Sequence, residues 1–203
     1  MNKTLKTALN IVCAAIILSV IVLSVILAAR TGASVGGIDV RTGSYFSKLL
    51  KTLCAGFPNA ACAIAVYFFY NGIFVACRAT IKKLVGTKDF TPLLISVAVI
   101  TAVFFPFRSC ITNFSAAIQF AFPIALALFA TAFMIFFITE NKHYIPSVIL
   151  YVLACGGHPY VAVAVSVLLA VINIIELIKK KSVKKTAVAF VIALICTVIN
   201  CVI

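Results

Sequence analysis

Seven stretches of the chain, residues 8–29, 53–77, 91–107, 115–139, 144–157, 160–175 and 186–203, contain no Asp, Glu, Lys or Arg. Long apolar runs joined by short charged links leave few ways to fold in water. A helix crossing a bilayer needs about 20 residues, with a working range near 17–25. Five of the seven runs reach the lower bound, 160–175 reaches it once 176–178 are added, and 144–157 is short. The chain is 65% hydrophobic and 10% charged, whereas soluble domains run at about 45–50% and 25%. A soluble fold of 203 residues has no interior large enough for that apolar surface, but lipid does not have to exclude it. The expected fold is therefore all-α, a polytopic transmembrane helix bundle forming one transmembrane domain over residues 1–203.

Charge placement sets the expected topology. The chain carries 17 Lys and Arg against 4 Asp and Glu, a net charge of +13. These cations flank the apolar runs and form no basic patch with interleaved aromatics, so nucleic acid is not an expected partner; membrane lipid is. Residues 144–178 contain Gly156-Gly157-His158-Pro159 in their middle. Proline removes an N–H and restricts its predecessor, so this tetrapeptide reads as a break. As a turn it gives about seven spans; as a kink it gives six. With the N-terminus in the cytoplasm, seven spans put Lys3, Lys6, Arg78, Lys82, Lys83, Lys88, Lys142 and the five lysines of 179–185 inside, 12 of 17 cations. Six spans leave 7 inside and 10 outside. Short loops of membrane proteins concentrate Lys and Arg on the cytoplasmic side, which favours seven. The N-terminal run of 22 residues exceeds the 7–15 of a cleavable leader, so a retained anchor is expected. The location that follows is the cell membrane, multi-pass.

Residues 30–52 form the largest outer loop. From Tyr45, apolar residues recur at Phe46, Leu49, Leu50 and Leu53, which is helical spacing. An amphipathic helix on the outer interface and an outward extension of the second span both fit. The eight cysteines form no C-x-x-C pair and read as small apolar packing residues.

Polar residues near lipid are costly to bury and so mark candidate sites. Asp39 is the only acid on the proposed outer side. It can act as a general base or a divalent-metal ligand, or simply pair with Arg41 in its loop. No cofactor is required beyond that option. Arg108, after Phe104-Phe105-Pro106-Phe107, suits a phosphate or lipid headgroup, or anchors the interface by snorkelling. His158 in the outer turn can carry a proton or meet an anion, or be a turn residue only. Asn113, Ser115 and Gln119 gather at the outer end of the fourth span, Ser115 and Gln119 four residues apart and so on one face. Ligand binding and helix–helix hydrogen bonding both suit them. No soluble-enzyme signature such as G-x-S-x-G, a Walker loop, H-E-x-x-H or an EF-hand is present.

Four segments carry a family resemblance. Arg41-Thr42-Gly43-Ser44-Tyr45-Phe46 resembles an aromatic-rich Asn-Gly-Arg-Tyr segment, and Pro58-Asn59-Ala60 lies where an Asn-Ala pair is common. Ser115-Ala116-Ala117-Ile118-Gln119-Phe120-Ala121-Phe122-Pro123 resembles a Ser-Gly-x-x-Asn-Tyr-x-Trp-Pro segment, and Gly156-Gly157-His158-Pro159 occupies the place of an Asn-Glu turn. In this order the segments resemble the N-terminal half of bacterial GT-C type membrane glycosyltransferases, which use a polyprenyl-phosphate-linked sugar. The resemblance implies Asp39 as the catalytic residue and Arg41, Arg108, Gln119 and His158 as substrate-binding residues. Here the usual acidic pair is a single Asp and the turn's Glu is His158, so a truncated or degenerate relative, or a half working with another membrane subunit, is implied. Two other classes suit the same features. One is a small-solute transporter or transport subunit, with the broken helix at residues 156–159 offering backbone groups to its solute. The other is an accessory membrane subunit.

Overall fold

The computed structural model describes residues 3–31, 45–86, 89–104, 113–178 and 184–202, and among these every regular element is helical. In lipid each backbone N–H and C=O must be satisfied within its own segment, so an apolar run becomes a helix. The helices are α1 (Lys3–Thr31), α2 (Tyr45–Cys54), α3 (Pro58–Thr80), α4 (Thr91–Phe104), α5 (Phe114–Glu140), α6 (Tyr144–Cys155), α7 (Pro159–Ile178) and α8 (Lys184–Val202). Four segments, Thr4–Arg30, Pro58–Lys83, Phe114–Glu140 and Pro159–Ile178, are long and apolar enough to cross a membrane, and Thr91–Val103 and Tyr144–Cys155 are shorter apolar helices. Leu18, Val103, Ile149, Val167 and Val198 are among many large apolar side chains left exposed on the outside of the bundle. Water does not tolerate such a surface, whereas hydrocarbon does. The molecule is a helical membrane protein.

Local chemistry sets the helix ends. Pro58 starts α3, where its missing N–H costs nothing, after a break at Ala55-Gly56-Phe57. A π turn, Ile81–Val85, ends α3 and is capped by Gly86 at φ 75°, a left-handed conformation glycine adopts without strain. Asn141 takes the same region at φ 60° and donates its N–H to the Phe137 carbonyl, closing α5. Asn113 caps the start of α5, its Oδ1 accepting from the Ala116 N–H at 2.7 Å.

α5 is the central helix. Its first half packs with α1 and α3 through Val20, Cys62, Val66, Tyr70, Ala121 and Ala125. Its second half packs with α6, α7 and α8 through Met134, Tyr151, Cys155, Val165 and Ala189. α4 closes against α1 through Ile17, Leu94 and Val97. Small residues let α3 and α5 approach closely, and a Cβ on Gly72 would lie 3.2 Å from the Ala125 carbonyl oxygen. Hydroxyls add direction: Ser24 to Tyr70 at 3.0 Å, Thr131 to Tyr151 at 3.1 Å, and Ser147 donating to the Ala130 carbonyl at 2.8 Å.

Hydrogen bonds between distant residues fix the direction of the last three helices. The Tyr144 hydroxyl, at the start of α6, donates to the Lys185 carbonyl at the start of α8. Asn173, near the end of α7, donates to the Thr186 carbonyl. Asn200, near the end of α8, donates to the Cys155 carbonyl at the end of α6. The chain therefore reverses at residues 156–158, as a turn and not as a kink, and α6 and α7 run antiparallel.

Candidate functional site

The helix expected from Tyr45 onward is present as α2, separate from α3, but its faces are reversed from the simple interfacial expectation. Ser47 and Lys51 are fully buried at 0% exposure, while Leu49 and Leu53 are 56% and 63% exposed. α2 turns Ser47 and Lys51 inward and Leu49 and Leu53 outward, while Leu50 and Cys54 pack on Ala61, Phe114 and Ile118. In water this would be costly; beside lipid it places each face in its favoured solvent. An ammonium held this way marks a functional site more often than a structural one, because desolvating it is costly.

α2 rests against the first turns of α5, where the helix is not regular. Residues Ala117–Ala121 form a π turn, and the Phe122 N–H reaches back to the Ala117 carbonyl. The cause is Pro123, which has no N–H to donate to the Gln119 carbonyl and whose ring would strike that carbonyl in a regular helix. Widening the helix by one residue relieves the clash. Gln119 is buried in this turn. The four-residue relation between Ser115 and Gln119 assumed an unbroken α-helix, and the π turn interrupts it.

Pro123 also receives the turn between α6 and α7. A Cβ on Gly157 would fall inside van der Waals contact with Pro123 Cβ and Cγ, so only glycine lets the turn approach this closely. That approach lays the His158 ring on Phe120, with centroids 4.3 Å apart, and 5.0 Å from the Tyr160 ring. His158 Nδ1 accepts from the Tyr160 N–H at 3.3 Å. The half-buried imidazole has its pKa lowered from the usual value by burial first and by the charge of Lys51 second. At neutral pH the ring is uncharged, and with Nδ1 accepting, the proton sits on Nε2 as a donor.

Below His158 lies a groove of about 290 Å³ between α5 and α7. Phe120 and Tyr160 stand at its rim, and Ile124, Leu128, Val165 and Leu168 line its length. From Phe120 to Thr131 it follows α5 for about 16 Å at 1.5 Å per residue. Its lining is carbon except for the hydroxyls of Tyr160 and Thr131, and Thr131 is already engaged with the Ala127 carbonyl and Tyr151. Phe120 and Tyr160 thus join the imidazole to one end of an apolar slot, and the charge of Lys51 reaches that imidazole, an arrangement suited to an anionic headgroup on a hydrocarbon chain.

The structure brings Gln119 and His158 to the same end of the bundle, joined through Phe120. Asp39, Arg41 and Arg108 lie outside the described residues. Asn113 is accounted for as a helix cap. Lys51 and Ser47 were not singled out in the sequence. Their four-residue spacing opposite Leu49 and Leu53 was the available signal, since a lysine on the face away from the leucines must meet either water or a polar site. At the break, Gly156 and Gly157 donate to carbonyls of α6, Asn200 donates to the Cys155 carbonyl, and the His158 carbonyl accepts from the Ala162 N–H. Among the described residues no group of three or more His, Cys, Asp and Glu side chains is placed to hold a metal ion. No family model, curated protein or solved structure matches the chain.

Proposed function

We propose that the chain is a seven-span cell-membrane protein that binds a polyprenyl-phosphate-linked sugar at its outer face, as a GT-C glycosyltransferase-like module. One observation carries the reading: His158, whose imidazole feels the charge of the buried Lys51, stacks on Phe120 at one end of the apolar groove between α5 and α7. In this reading the ammonium of Lys51 and the Nε2–H of His158 take phosphate oxygens, Gln119 stands beside them, and the isoprenoid chain enters the groove. Arg41 and Arg108 are assigned to the same headgroup, and Asp39 to the transfer step as base.

The four long helices, with α4, α6 and α8, make up the seven spans. Charge supports the orientation. Among the described side chains, Lys6, Arg78, Lys82, Lys83, Lys142, Lys184 and Lys185 lie at one end, seven cations, against Arg30, Lys48 and Lys51 at the other, three. The positive-inside tendency then puts the N-terminus in the cytoplasm and His158 outside. A transporter using the broken helix at residues 156–159 needs free backbone groups there, and the N–H groups of Gly156 and Gly157 and the carbonyls of Cys155 and His158 are hydrogen-bonded, which favours the lipid-phosphate reading.

The test is binding of polyprenyl phosphate and of the uncharged polyprenol to the purified protein, followed by native mass spectrometry. Polyprenyl phosphate is expected to bind and polyprenol to bind far less. Lys51→Met is expected to lower the affinity roughly 10–100-fold, the worth of a charge-assisted hydrogen bond. Equal binding of phosphate and alcohol would overturn the reading. Loss of sugar transfer in Asp39→Asn, with polyprenyl phosphate binding retained, is expected for the catalytic half of the proposal; unchanged transfer rejects it.

A further inference from the structure

We propose a second ligand site, at the opposite, lysine-rich end, that takes the phosphate of an anionic phospholipid. A cavity of about 580 Å³ opens there between the end of α3, its π turn and the start of α4. Arg78, at the end of α3, and Lys82 and Lys83, in its π turn, form its basic wall. Phe74, Phe90 and Leu93 form its apolar wall.

The charges around the cavity are unequally committed. Asp89, the acid in the lining, is held by Lys6 and by the Thr91 N–H, and these contacts keep its carboxyl below the usual carboxylate range. Lys83 is paired with Glu140. The Arg78 side chain makes no hydrogen bond or ion pair to a described residue, and Lys82, like Lys142, acts on Glu140 only at longer range. Four cations, Lys6, Arg78, Lys82 and Lys83, thus meet two acids, Asp89 and Glu140, leaving an excess of two positive charges on one wall. The guanidinium offers two parallel donors that match phosphate oxygens, and the lysine adds a point charge.

The two walls together decide the ligand class. A free phosphate compound has no use for Phe74, Phe90 and Leu93. A phospholipid uses both walls, its phosphate on Arg78 and Lys82 and the top of an acyl chain on Phe90 and Leu93. Basic pockets between transmembrane helices take anionic headgroups by this combination. The π turn that carries Lys82 and Lys83 widens the helix beside the cavity, and Gly86, in a left-handed conformation, closes it.

The experiment uses the full chain, purified in detergent and returned to nanodiscs of phosphatidylcholine with or without phosphatidylglycerol, with retained lipid read by native mass spectrometry. Phosphatidylglycerol is expected to be retained selectively, with a dependence on ionic strength. The double variant Arg78→Gln with Lys82→Gln is expected to lose retention roughly thirtyfold, while its melting temperature stays at the wild-type value, which shows that the variant folds. Lys142→Gln, a charge loss at the same end outside the cavity lining, is expected to leave retention as in wild type. Equal retention of phosphatidylcholine, an undiminished double variant, or an equal loss in Lys142→Gln would each overturn the proposal. Competition by inorganic phosphate as strong as by phosphatidylglycerol would overturn the lipid assignment. Failure of polyprenyl phosphate to bind at the other end leaves these readouts intact, so the two sites stand or fall separately.

Discussion

His158 and Gly157 are adjacent and do different work. Gly157 exists to be small, since any Cβ enters Pro123. Gly157→Ala is expected to cost about 1–3 kcal/mol by overpacking, seen as a lower Tm, and to weaken polyprenyl phosphate binding because it lifts His158 off Phe120. His158 supplies chemistry, and its lowered pKa has a consequence for stability. The unfolded chain takes up the proton more readily than the folded one, so this contribution is complete above about pH 6.5. It is lost as pH falls from there toward the lower folded value. Thermal melts between about pH 7.5 and pH 5.5 are expected to show the wild type losing Tm on acidification relative to His158→Asn. Parallel curves would show that the imidazole titrates as in the unfolded chain.

At the scale of elements, α2 and the start of α5 carry most of what is specific to this protein. The apolar spacing of Tyr45, Phe46, Leu49, Leu50 and Leu53 made the helix legible, because periodicity is a local property. Which face turns inward was not legible, because it depends on what waits on the other side. Here that is the π turn holding Gln119 and the His158 turn, and Ser47 and Lys51 face them. The π turn was itself hidden, since a proline near the start of an apolar run reads equally as a helix start. Pro123→Ala restores an N–H for the Gln119 carbonyl and is expected to return residues 117–121 to α-helical register. Melting temperature is expected to hold or rise while polyprenyl phosphate affinity falls at least tenfold, the signature of a site maintained at the expense of helix regularity. Unchanged affinity would show that the irregularity has no part in binding.

For the whole molecule, the bundle is polarised. One end gathers lysines, the ion pairs Lys6–Asp89 and Lys83–Glu140, and the basic cavity. The other end gathers Lys51, Gln119 and His158. The antiparallel α6–α7 turn places them apart, and it is held by Asn200 across the end of α8. A reporter active only outside the cytoplasm is expected to be active after Ile203 and silent within residues 179–185. The reverse pattern, residues 179–185 outside and Ile203 inside, rejects the proposed orientation and moves the Lys51 end's proposed ligand out of reach of an outer-leaflet sugar carrier.

The amino-acid sequence by itself determined that the chain is helical and membrane-embedded, roughly where each helix lies, and that the chain breaks at residues 156–159. Each of these follows from nearest-neighbour physics: an apolar run in lipid has no partner for its backbone but itself, and a Gly-Gly-His-Pro segment cannot continue a helix. Only the tertiary structure decided that the break is a full reversal, that α2 buries Lys51 while Leu49 and Leu53 stay exposed, and that α3 and α5 each carry a π turn. It also decided that Phe120 and His158 stack on each other and that the charge of Lys51 reaches the imidazole. Those outcomes depend on how closely small residues such as Gly157 and Gly72 let helices approach. That distance is a property of two surfaces together and is not written in either one alone.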